Sequence, residues 1–409
     1  MTTRRRLAIG LIFGALLVPA PTARAQSAAA AITLEEALTR AAASSPIIRA
    51  AQAQRAIGEA GRSVARQLPN PEVSYEATKD TPRQVLSAMF PIELGGKRAR
   101  RIDLANAALG VIDADIDVVV AEVRNDVRRA YFELAVAEQR LALAEGVRAL
   151  VGRLKDAVEA RFAAGDAPRL EAVQAAMALA DSDNEVTAAT GSVGAARAEL
   201  NTLIGQPPDA SLTASDPAGP RDVPVLSALL DVARRSNADL VALDRRILEQ
   251  TARRDLERTL RTPDVSAGPG LLYDAKPEFT YGWRMAVNVT VPVFTQHQAE
   301  VALADASLAQ VRAERDARTA SVTGAIAAAH ARATAAREQL IRFEAEILPR
   351  AREVEQMAQD GYAAGQTSLP VLVQALQGAR DVRRRGLQAG LDFHMALADL
   401  ERALGAPLR

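Results

Sequence analysis

Between roughly Lys97 and Ala163 the chain places apolar or small residues three and four positions apart. These residues stand at positions 109, 112, 116, 119, 123, 127, 130, 134, 137, 141 and 144. Steps that alternate between three and four are typical of a coiled coil, and the single additional step of four is a stutter that locally relaxes the supercoil. A helix of this length spans ~100 Å. A second helix of the same kind is predicted from about Gln298 to Tyr362.

Residues 278–293 follow a two-residue period instead. Aromatic and aliphatic side chains occupy the odd positions from Phe279 to Val293, and polar or small side chains occupy the even positions from Thr280 to Thr290. This alternation predicts a strand with one apolar and one polar face. A strand that lies on a soluble core shows the same pattern, so this strand alone leaves both alternatives open.

A second strand pair is predicted between residues 71 and 94, where PEVSYEATKD alternates in the same way and its hairpin partner follows. Of the chain's one Trp, five Tyr and eight Phe, seven lie in or beside the two hairpins. Such a concentration is typical of the aromatic belts of membrane barrels. We therefore expect a membrane belt of five residues: Tyr75, Phe90, Phe279, Tyr281 and Trp283.

Four strands are too few to close a barrel, because small closed barrels have about eight. In lipid, an open sheet edge leaves backbone groups unpaired at a cost of several kcal/mol each. The predicted strands therefore require further copies of the chain. Two copies supply eight strands and three supply twelve, and a cyclic ring is the natural closure.

The chain contains one structural unit twice, at an offset of about 192 to 201 residues. RFAAGDAPRLEAVQA (161–175) resembles DGYAAGQTSLPVLVQA (360–375), and LEEALTRAAASSPIIRA (34–50) parallels LSALLDVARRSNADLVA (226–242). We expect each unit to consist of a helix, two strands, a very long helix, a tight turn and a helix. The predicted divisions are a first repeat at 26–204 with strands at 71–94 and a tip at 164–168, a linker at 205–225, and a second repeat at 226–409 with strands at 263–293 and a tip at 364–368.

Residues 1–25 have the features of a secretory signal peptide: three arginines, an apolar run from Leu7 to Val18, and Ala23-Arg24-Ala25 before Gln26. Removing them changes the balance of basic to acidic residues from 50 against 50 to 46 against 50. A mildly acidic product argues against nucleic acid as a partner. Because the chain has no cysteine, it can carry no lipid on a cysteine at its mature start, and we expect no lipid anchor.

The residues indicate no enzyme and no resident cofactor. Without cysteine there is no disulfide, thiolate metal site or thiol nucleophile. His297, His330 and His394 are too scattered for a shared metal site. No triad or carboxylate pair can be distinguished from the charges on the helix surfaces, and Asp113, Asp115, Asp117 and Glu122 are interpreted as a solvated helix face.

The segment PIELGGKRARR (91–101) could be a phosphate loop or a bend between a strand and a helix. A phosphate loop requires a hydroxyl residue after its lysine, and Arg98 stands there. In the second repeat Gln296 and His297 replace the two glycines. We therefore predict a strand-to-helix junction in which the glycines permit the change of direction, with Lys97 and Arg98 at the headgroup or periplasmic boundary.

The duplicated helical unit, the two strand pairs and the repeated aromatic-Ala-Ala-Gly tips resemble the TolC-like outer-membrane efflux family over essentially the whole mature chain. LPNPEVSYE (68–76) and FPIELGGKRARR (90–101) are similar to the outer-membrane component of cobalt-zinc-cadmium type heavy-metal exporters. The resemblance implies a mainly α fold with a small β part. In it, long helical hairpins form a periplasmic α-barrel, and four strands per chain contribute to a 12-stranded trimeric β-barrel in outer-membrane lipid. It also implies a passive conduit without cofactor that docks on a periplasmic adaptor and, through it, on an inner-membrane pump of the RND type.

The resemblance further implies functions for the tips. The adaptor contact would involve Ala163, Ala164, Gly165, Ala363, Ala364 and Gly365. The family's acidic constriction corresponds here to Glu171, together with the tyrosine Tyr362; the further gate candidates are Asp166, Arg169, Gln174 and Gln374. Val371 and Gln374 replace the acids of the second repeat, so a complete acidic ring is not expected. Glu171→Ala should give a leakier pore.

Three functions are compatible with these patterns. The first is export of divalent heavy-metal cations, for which Glu72 and Glu76 on the lumen face of the barrel would be suited. The second is export of drugs or other small molecules by the same architecture. The third is a soluble periplasmic coiled-coil scaffold, and the strand at 278–293 is the feature that separates it from a channel.

Overall fold

The computed structural model describes residues 30–215, 219 and 221–408; the predicted signal peptide lies outside them. The elements of the first half are β1 (Ala30–Ile32), α1 (Leu34–Ser44), α2 (Pro46–Arg66), β2 (Glu72–Ala77), β3 (Gln84–Ile92), α3 (Lys97–Ala163), α4 (Arg169–Leu203) and β4 (Leu212–Ala214). The elements of the second half are α5 (Leu226–Ser236), α6 (Ala238–Thr259), β5 (Asp264–Ala275), β6 (Phe279–Thr290), α7 (Gln298–Arg342), a π-helical segment (Phe343–Ile347), α8 (Leu348–Ala363) and α9 (Leu369–Leu404). Among the described helices, none has the length and apolar composition that a membrane crossing requires.

Two helices, rather than the single predicted one, precede the strands in each half. In the first half the break falls at Ser45, because the following Pro46 disfavours a helical conformation at the residue before it. In the second half Asn237 ends α5, and its side-chain oxygen caps α6 by accepting from the amide of Leu240 at 3.1 Å.

The long helices differ between the halves. Helix α3 has the predicted bounds and is continuous over 67 residues. The predicted second long helix is instead divided by the π-helical segment into α7 and α8. Pro349 explains the interruption, because it cannot donate to the carbonyl of Ala345 and its ring clashes with an ideal α-helical turn there.

The predicted strands form one antiparallel sheet in the order β2-β3-β5-β6. Strand β6 ends at Thr290, three residues before the end of the alternating pattern. Within the described part of the chain, β2 and β6 are each paired on one side only. The sheet therefore has two open edges, as the count of four strands predicts.

A small parallel sheet was not predicted. Strand β1 pairs with β4, which lies inside the expected linker at 205–225. Together with α1 it packs on α3 and α4 in a core whose fully buried members include Ile32, Val127, Leu134, Leu200 and Leu212. This core lies near the middle of α3, well away from the four-stranded sheet.

Four helices extend from this core to the tips. Helix α3 packs against α4 on one side and α9 on the other, and α9 in turn packs against α8. Near the tips Leu154 and Val158 of α3 meet Ala175 of α4 and Leu369 and Leu372 of α9 in a separate buried cluster. The order across this layer is therefore α4-α3-α9-α8, with α4 and α8 at its edges.

Candidate functional site

One face of the four-stranded sheet is apolar and uncovered. Strand register places Tyr75, Leu86, Leu271 and Trp283 in a single row across all four strands. Their exposed fractions are 62%, 46%, 60% and 77%. A second row on this face contains Phe90, Ala267 and Val287. Monomeric soluble proteins rarely expose a contiguous apolar surface of this kind, so this face requires an apolar environment.

The opposite face is largely polar. The Oγ atoms of Ser74 and Ser87 lie 2.8 Å apart, and Gly270 and Arg284 continue their row. Glu72 and Glu76 share this face, because they alternate with Val73 and Tyr75 along β2. The sheet thus separates an apolar side from a side suited to water.

The five predicted belt residues do not all behave alike. Tyr75, Phe90, Tyr281 and Trp283 are exposed on the apolar face. Phe279 stands at the end of the β5–β6 hairpin, where its ring lies 2.7 Å from the position that a Cβ of Gly282 would occupy. The ring therefore packs against its own strand instead of extending the apolar rows.

The Gly-Gly-Lys segment is a strand-to-helix junction, as predicted. Gly95 and Gly96 have φ values of +68° and +80°, in the left-handed region that favours glycine. The expectation that the Lys97 side chain faces the headgroup or periplasmic boundary is wrong, because Lys97 is 5% exposed and its Nζ lies 2.6 Å from Oδ1 of Asp264. This ion pair with the first residue of β5, whose own side chain is 75% exposed, ties α3 to the sheet. Arg98 is exposed and donates to the carbonyl of Arg66 at 2.8 Å.

Both tips are tight helix endings formed on a left-handed glycine. Gly165 has φ +86° and Gly365 has φ +70°. In the first tip the amide of Asp166 donates to the carbonyl of Arg161 at 2.9 Å, and in the second the amide of Gln366 donates to the carbonyl of Gly361 at 2.8 Å. The small residues proposed for the adaptor contact are all exposed: Ala163, Ala164, Gly165, Ala363, Ala364 and Gly365.

A contact between the two hairpins joins part of the predicted gate. Nη1 of Arg161 on α3 lies 3.3 Å from the hydroxyl of Tyr362 on α8, and the guanidinium lies 5.9 Å from the centre of the tyrosine ring. Arg161 also donates to the carbonyl of Asp166 at 3.4 Å. Sequence reasoning missed Arg161, although it directly precedes the repeated aromatic-Ala-Ala-Gly motif.

The remaining gate candidates do not join this contact. Glu171 lies in the first turn of α4, and its Oε2 is buried without a hydrogen-bond partner among the described residues. Gln174 is half-buried, whereas Arg169 and Gln374 are exposed. In the part of the chain that the structure describes, no ion pair or hydrogen bond connects any of these four side chains to Tyr362.

The histidines are separate from one another. His394 stacks on Phe132 with ring centres 4.0 Å apart. Burial, and to a lesser extent the charge of Arg221, lowers the pKa of His394 to about 4. His330 faces the carbonyl of Pro224, and His297 lies beside Glu257. Across residues 30–215 and 221–408, no cluster of three or more His, Asp or Glu side chains is arranged to hold a metal ion.

Ion pairs between distant helices hold the helical layer together near its centre. Arg128 of α3 and Glu401 of α9 form a contact of 2.7 Å, and both side chains are 13% exposed. Burial raises the pKa of Asp239, but hydrogen bonds from Arg318 and Arg402 outweigh it and hold that pKa below its usual value.

The chain is similar to known channel proteins over nearly its full length. It matches the outer membrane efflux protein family over residues 37–206 and 229–406. It is 27% identical over 386 residues to the cobalt-zinc-cadmium resistance protein CzcC of Cupriavidus metallidurans, which covers 93% of this chain and 91% of that protein. Two of the solved structures that share its fold illustrate the similarity. One is a membrane protein from Pseudomonas aeruginosa (TM-score 0.76, 18% identity, 91% and 90% coverage). The other is the MtrE outer membrane channel of Neisseria gonorrhoeae in its open state (TM-score 0.73, 19% identity, 92% and 89% coverage).

Proposed function

The chain belongs to the outer membrane efflux protein family and is an outer-membrane efflux channel, and we propose that three copies form the conduit of a tripartite exporter for divalent heavy-metal cations. Efflux channels catalyse no reaction, and we assign the chain none. The observation that carries the proposal is the four-stranded sheet, which has an uncovered apolar face and two unpaired edges.

Closing this sheet requires other copies of the chain. In lipid, the free edges of β2 and β6 would leave backbone groups unpaired at several kcal/mol each. Pairing β6 of one copy with β2 of the next removes both edges once the ring closes. Three copies give twelve strands, whose apolar rows face lipid and whose polar face, with Glu72 and Glu76, lines the water-filled interior.

The helical layer supports the same ring. At its two edges, α4 and α8 each expose an apolar stripe near the tips. Leu170, Val173 and Met177 on α4 are 66%, 56% and 69% exposed, and Val354 and Met357 on α8 are 54% and 66% exposed. Their spacing of three and four residues is that of a coiled-coil seam. We propose that the α4 stripe of one copy packs on the α8 stripe of the next, which closes a twelve-helix tunnel.

Support for heavy-metal cations as cargo comes from the relative CzcC, a cobalt-zinc-cadmium resistance protein. The acidic side chains on the polar sheet face favour cations over anions, and weak contacts of this kind suit a conduit better than a tight site. Drugs or other small molecules remain the alternative cargo for the same architecture.

The partners we propose are a periplasmic adaptor and an inner-membrane RND pump. The exposed Ala-Ala-Gly tips would dock on the adaptor, because small side chains allow close tip-to-tip packing. In the resting state, the Arg161–Tyr362 contact and Glu171 would hold the tips together. The secondary gate residues would be Asp166, Arg169, Gln174 and Gln374.

The proposal is tested in the host strain by deleting the gene and measuring tolerance to zinc, cobalt, cadmium and a panel of dyes. We expect sensitivity to the metals, restored by the intact gene. The variant Val173→Glu should fail to restore it and should give no trimers in outer-membrane extracts, because it places a charge in the apolar seam. Val173→Leu, which keeps the seam apolar, should restore both. Recovery of the intact protein as a soluble rod in osmotic-shock fluid would contradict the proposal. If the deletion strain were sensitive to dyes alone, the cargo would be small organic molecules and not metal cations.

A further inference from the structure

His297 and Glu257 meet at the junction between the sheet and the helices of the second half. Glu257 lies in the last turn of α6, and His297 directly precedes α7. Nδ1 of His297 is 3.4 Å from Oε2 of Glu257. The two side chains are 28% and 24% exposed, so the pair is sheltered but can be reached from solvent.

This contact is not a hydrogen bond. Nδ1 of His297 is buried and has no hydrogen-bond partner among the described residues. An N–H···O hydrogen bond is normally ~2.7 to 3.2 Å long and nearly straight. A buried polar atom without a partner requires an explanation, and a bound ion is one of the few that proteins offer.

The backbone of His297 is also unusual. Its φ is +50°, in the left-handed region, and Gly96 occupies the corresponding place before α3 with φ +80°. A Cβ crowds the backbone in this conformation, so glycine is the residue that would avoid the strain. Residues that keep such strain are concentrated at functional sites, which makes the imidazole a candidate ligand.

The separation of the two atoms is that of two ligands on one metal ion. A tetrahedral zinc ion has Zn–N and Zn–O bonds of about 2.0 to 2.2 Å, which place two ligand atoms about 3.4 Å apart. Nδ1 and Oε2 are already at that distance. A metal lies off the line between its ligands, so the ring nitrogen need not point straight at the carboxylate.

The charges around the pair leave its carboxylate available. In the described part of the chain, no lysine or arginine side chain lies within 4.0 Å of the Glu257 carboxylate. Arg254 and Arg258 of the same helix pair with Asp305 instead, at 4.0 and 3.8 Å. Glu300 in the first turn of α7 adds a second negative charge nearby.

We propose that Nδ1 of His297 and Oε2 of Glu257 bind one divalent metal ion of the zinc or cobalt kind in each chain, with water completing the coordination shell. Imidazole nitrogen selects such ions over magnesium and calcium, which prefer oxygen ligands. The wide separation of the three histidines is no obstacle, because the site uses only one of them.

The inference rests on the proposed function, because the bound ion would be the cargo. Two protein ligands are fewer than the three or four of a resident zinc site, so the ion is held weakly. Weak binding is what a conduit needs, because the ion must be able to leave. The pair lies where the helices join the sheet, so each chain would hold an ion at the base of the barrel.

The test titrates the purified full chain in detergent, without a polyhistidine tag, with zinc chloride in a calorimeter. We expect about one zinc ion per chain. Cobalt chloride should give the strong visible absorption of tetrahedral cobalt, and magnesium chloride should not compete. The site lies within one chain, so the measurement does not depend on ring closure.

Two variants remove one ligand each. His297→Asn keeps a residue that tolerates the left-handed conformation, and Glu257→Gln keeps the shape of the side chain. Each should lower the zinc affinity about tenfold or more, because even the loss of a group that only supports a ligand costs about 10 to 100-fold. Zinc should raise the unfolding temperature of the original chain but of neither variant. His330→Asn removes a histidine elsewhere and should bind zinc like the original chain.

Two results would overturn the site: no zinc binding at millimolar concentration, or an affinity that both ligand variants retain, which would leave an ordinary pair of a histidine and a glutamate. Binding to the purified chain is independent of export. If the ligand variants lose zinc affinity but the gene deletion does not sensitise the host to metals, the site stands and the metal cargo is wrong. If the deletion strain is sensitive to metals but the purified chain binds no zinc, the cargo stands and the site is wrong.

Discussion

Arg161 and Tyr362, from different halves of the chain, meet at the tips, where the guanidinium of Arg161 reaches the Tyr362 hydroxyl at 3.3 Å. The same guanidinium lies 5.9 Å from the centre of the tyrosine ring, within the range of a cation–π contact. The contact links the hairpin α3–α4 to the hairpin α8–α9. Movement of one hairpin relative to the other at the tips would have to break it.

Removing this contact should make the closed pore leakier. We expect Arg161→Ala to raise the resting conductance in planar bilayers, because it removes the hydrogen bond and the cation–π contact together. Tyr362→Phe should have a smaller effect, since it removes only the hydroxyl. Arg153→Ala, an exposed arginine on the same helix, is the control and should leave the conductance unchanged. Equal conductance in all three variants and the original chain would exclude the contact from the gate.

Neutralising Glu401 should destabilise the folded chain. Glu401→Gln leaves Arg128 without its counter-charge at a site where both side chains are 13% exposed. Burial also lowers the pKa of Arg128, which indicates a desolvated guanidinium. We expect a loss of about 3 kcal/mol in the free energy of unfolding, followed by helical circular dichroism in detergent. Asp231→Asn, in the exposed pair of Asp231 with Arg234, should change the free energy of unfolding by less than about 0.5 kcal/mol. A similar change in both variants would contradict a stabilising role for the Arg128–Glu401 pair.

The glycine that ends each half cannot be replaced without strain. Gly405 has φ +73°, and a Cβ there would lie 2.1 Å from the carbonyl oxygen of Ser236. A Cβ at Gly205 would likewise lie 2.3 Å from the carbonyl oxygen of Ser44. We expect Gly405→Ala to lower the free energy of unfolding by more than about 1 kcal/mol. Gly324→Ala, inside α7 with no atom within 4 Å of the new Cβ, should instead raise it by about 0.5 to 1 kcal/mol. An increase in the free energy of unfolding for Gly405→Ala would contradict the close approach of residue 405 to the Ser236 carbonyl.

His394 should make the fold less stable in acid. Its pKa is lowered to about 4 in the folded chain from 6.5, so the unfolded chain takes up the proton first as the pH falls. Stability is therefore lost progressively between pH 6.5 and about 4, by up to about 3 kcal/mol. Charged residues line the cavity beside it: Glu35, Arg124, Arg128, Arg221 and Glu401. His394→Phe should remove this part of the pH dependence. The measurement compares the free energy of unfolding of the original chain with that of His394→Phe at about pH 7.5 and again at pH 4.5. A difference between the two proteins that is the same at both pH values would contradict a buried neutral imidazole.

Regular elements follow from the sequence where the signal is local and repeated. Helix α3 carries a coiled-coil spacing over many turns between Gly96 and Gly165, so both ends and the interior are marked. Along β6 the alternation of apolar and polar residues marks the two faces of the strand. Strand β4 is only three residues long and depends on pairing with β1, 182 residues earlier at Ala30–Leu212, so no local pattern predicts it.

The tips and glycine turns could be predicted because glycine conformations are local. The contacts that complete the site could not be predicted in the same way. Lys97 meets Asp264 only because β5 starts beside α3, and Arg161 reaches Tyr362 only because the two hairpins lie side by side. Each contact joins residues more than 150 positions apart, and charged residues on long helices are otherwise typical of solvated faces.

The central claim, that one face of the sheet lies in lipid and the other in water, is tested most directly by spin labelling of β6. The chain has no cysteine, so single cysteines can be introduced at each position from 283 to 290 without further changes. In reconstituted bilayers we predict that collision with oxygen is highest at Trp283, Met285, Val287 and Val289. Collision with a water-soluble nickel chelate should be highest at the positions between them. An absence of alternation, or its reversal, would contradict the account.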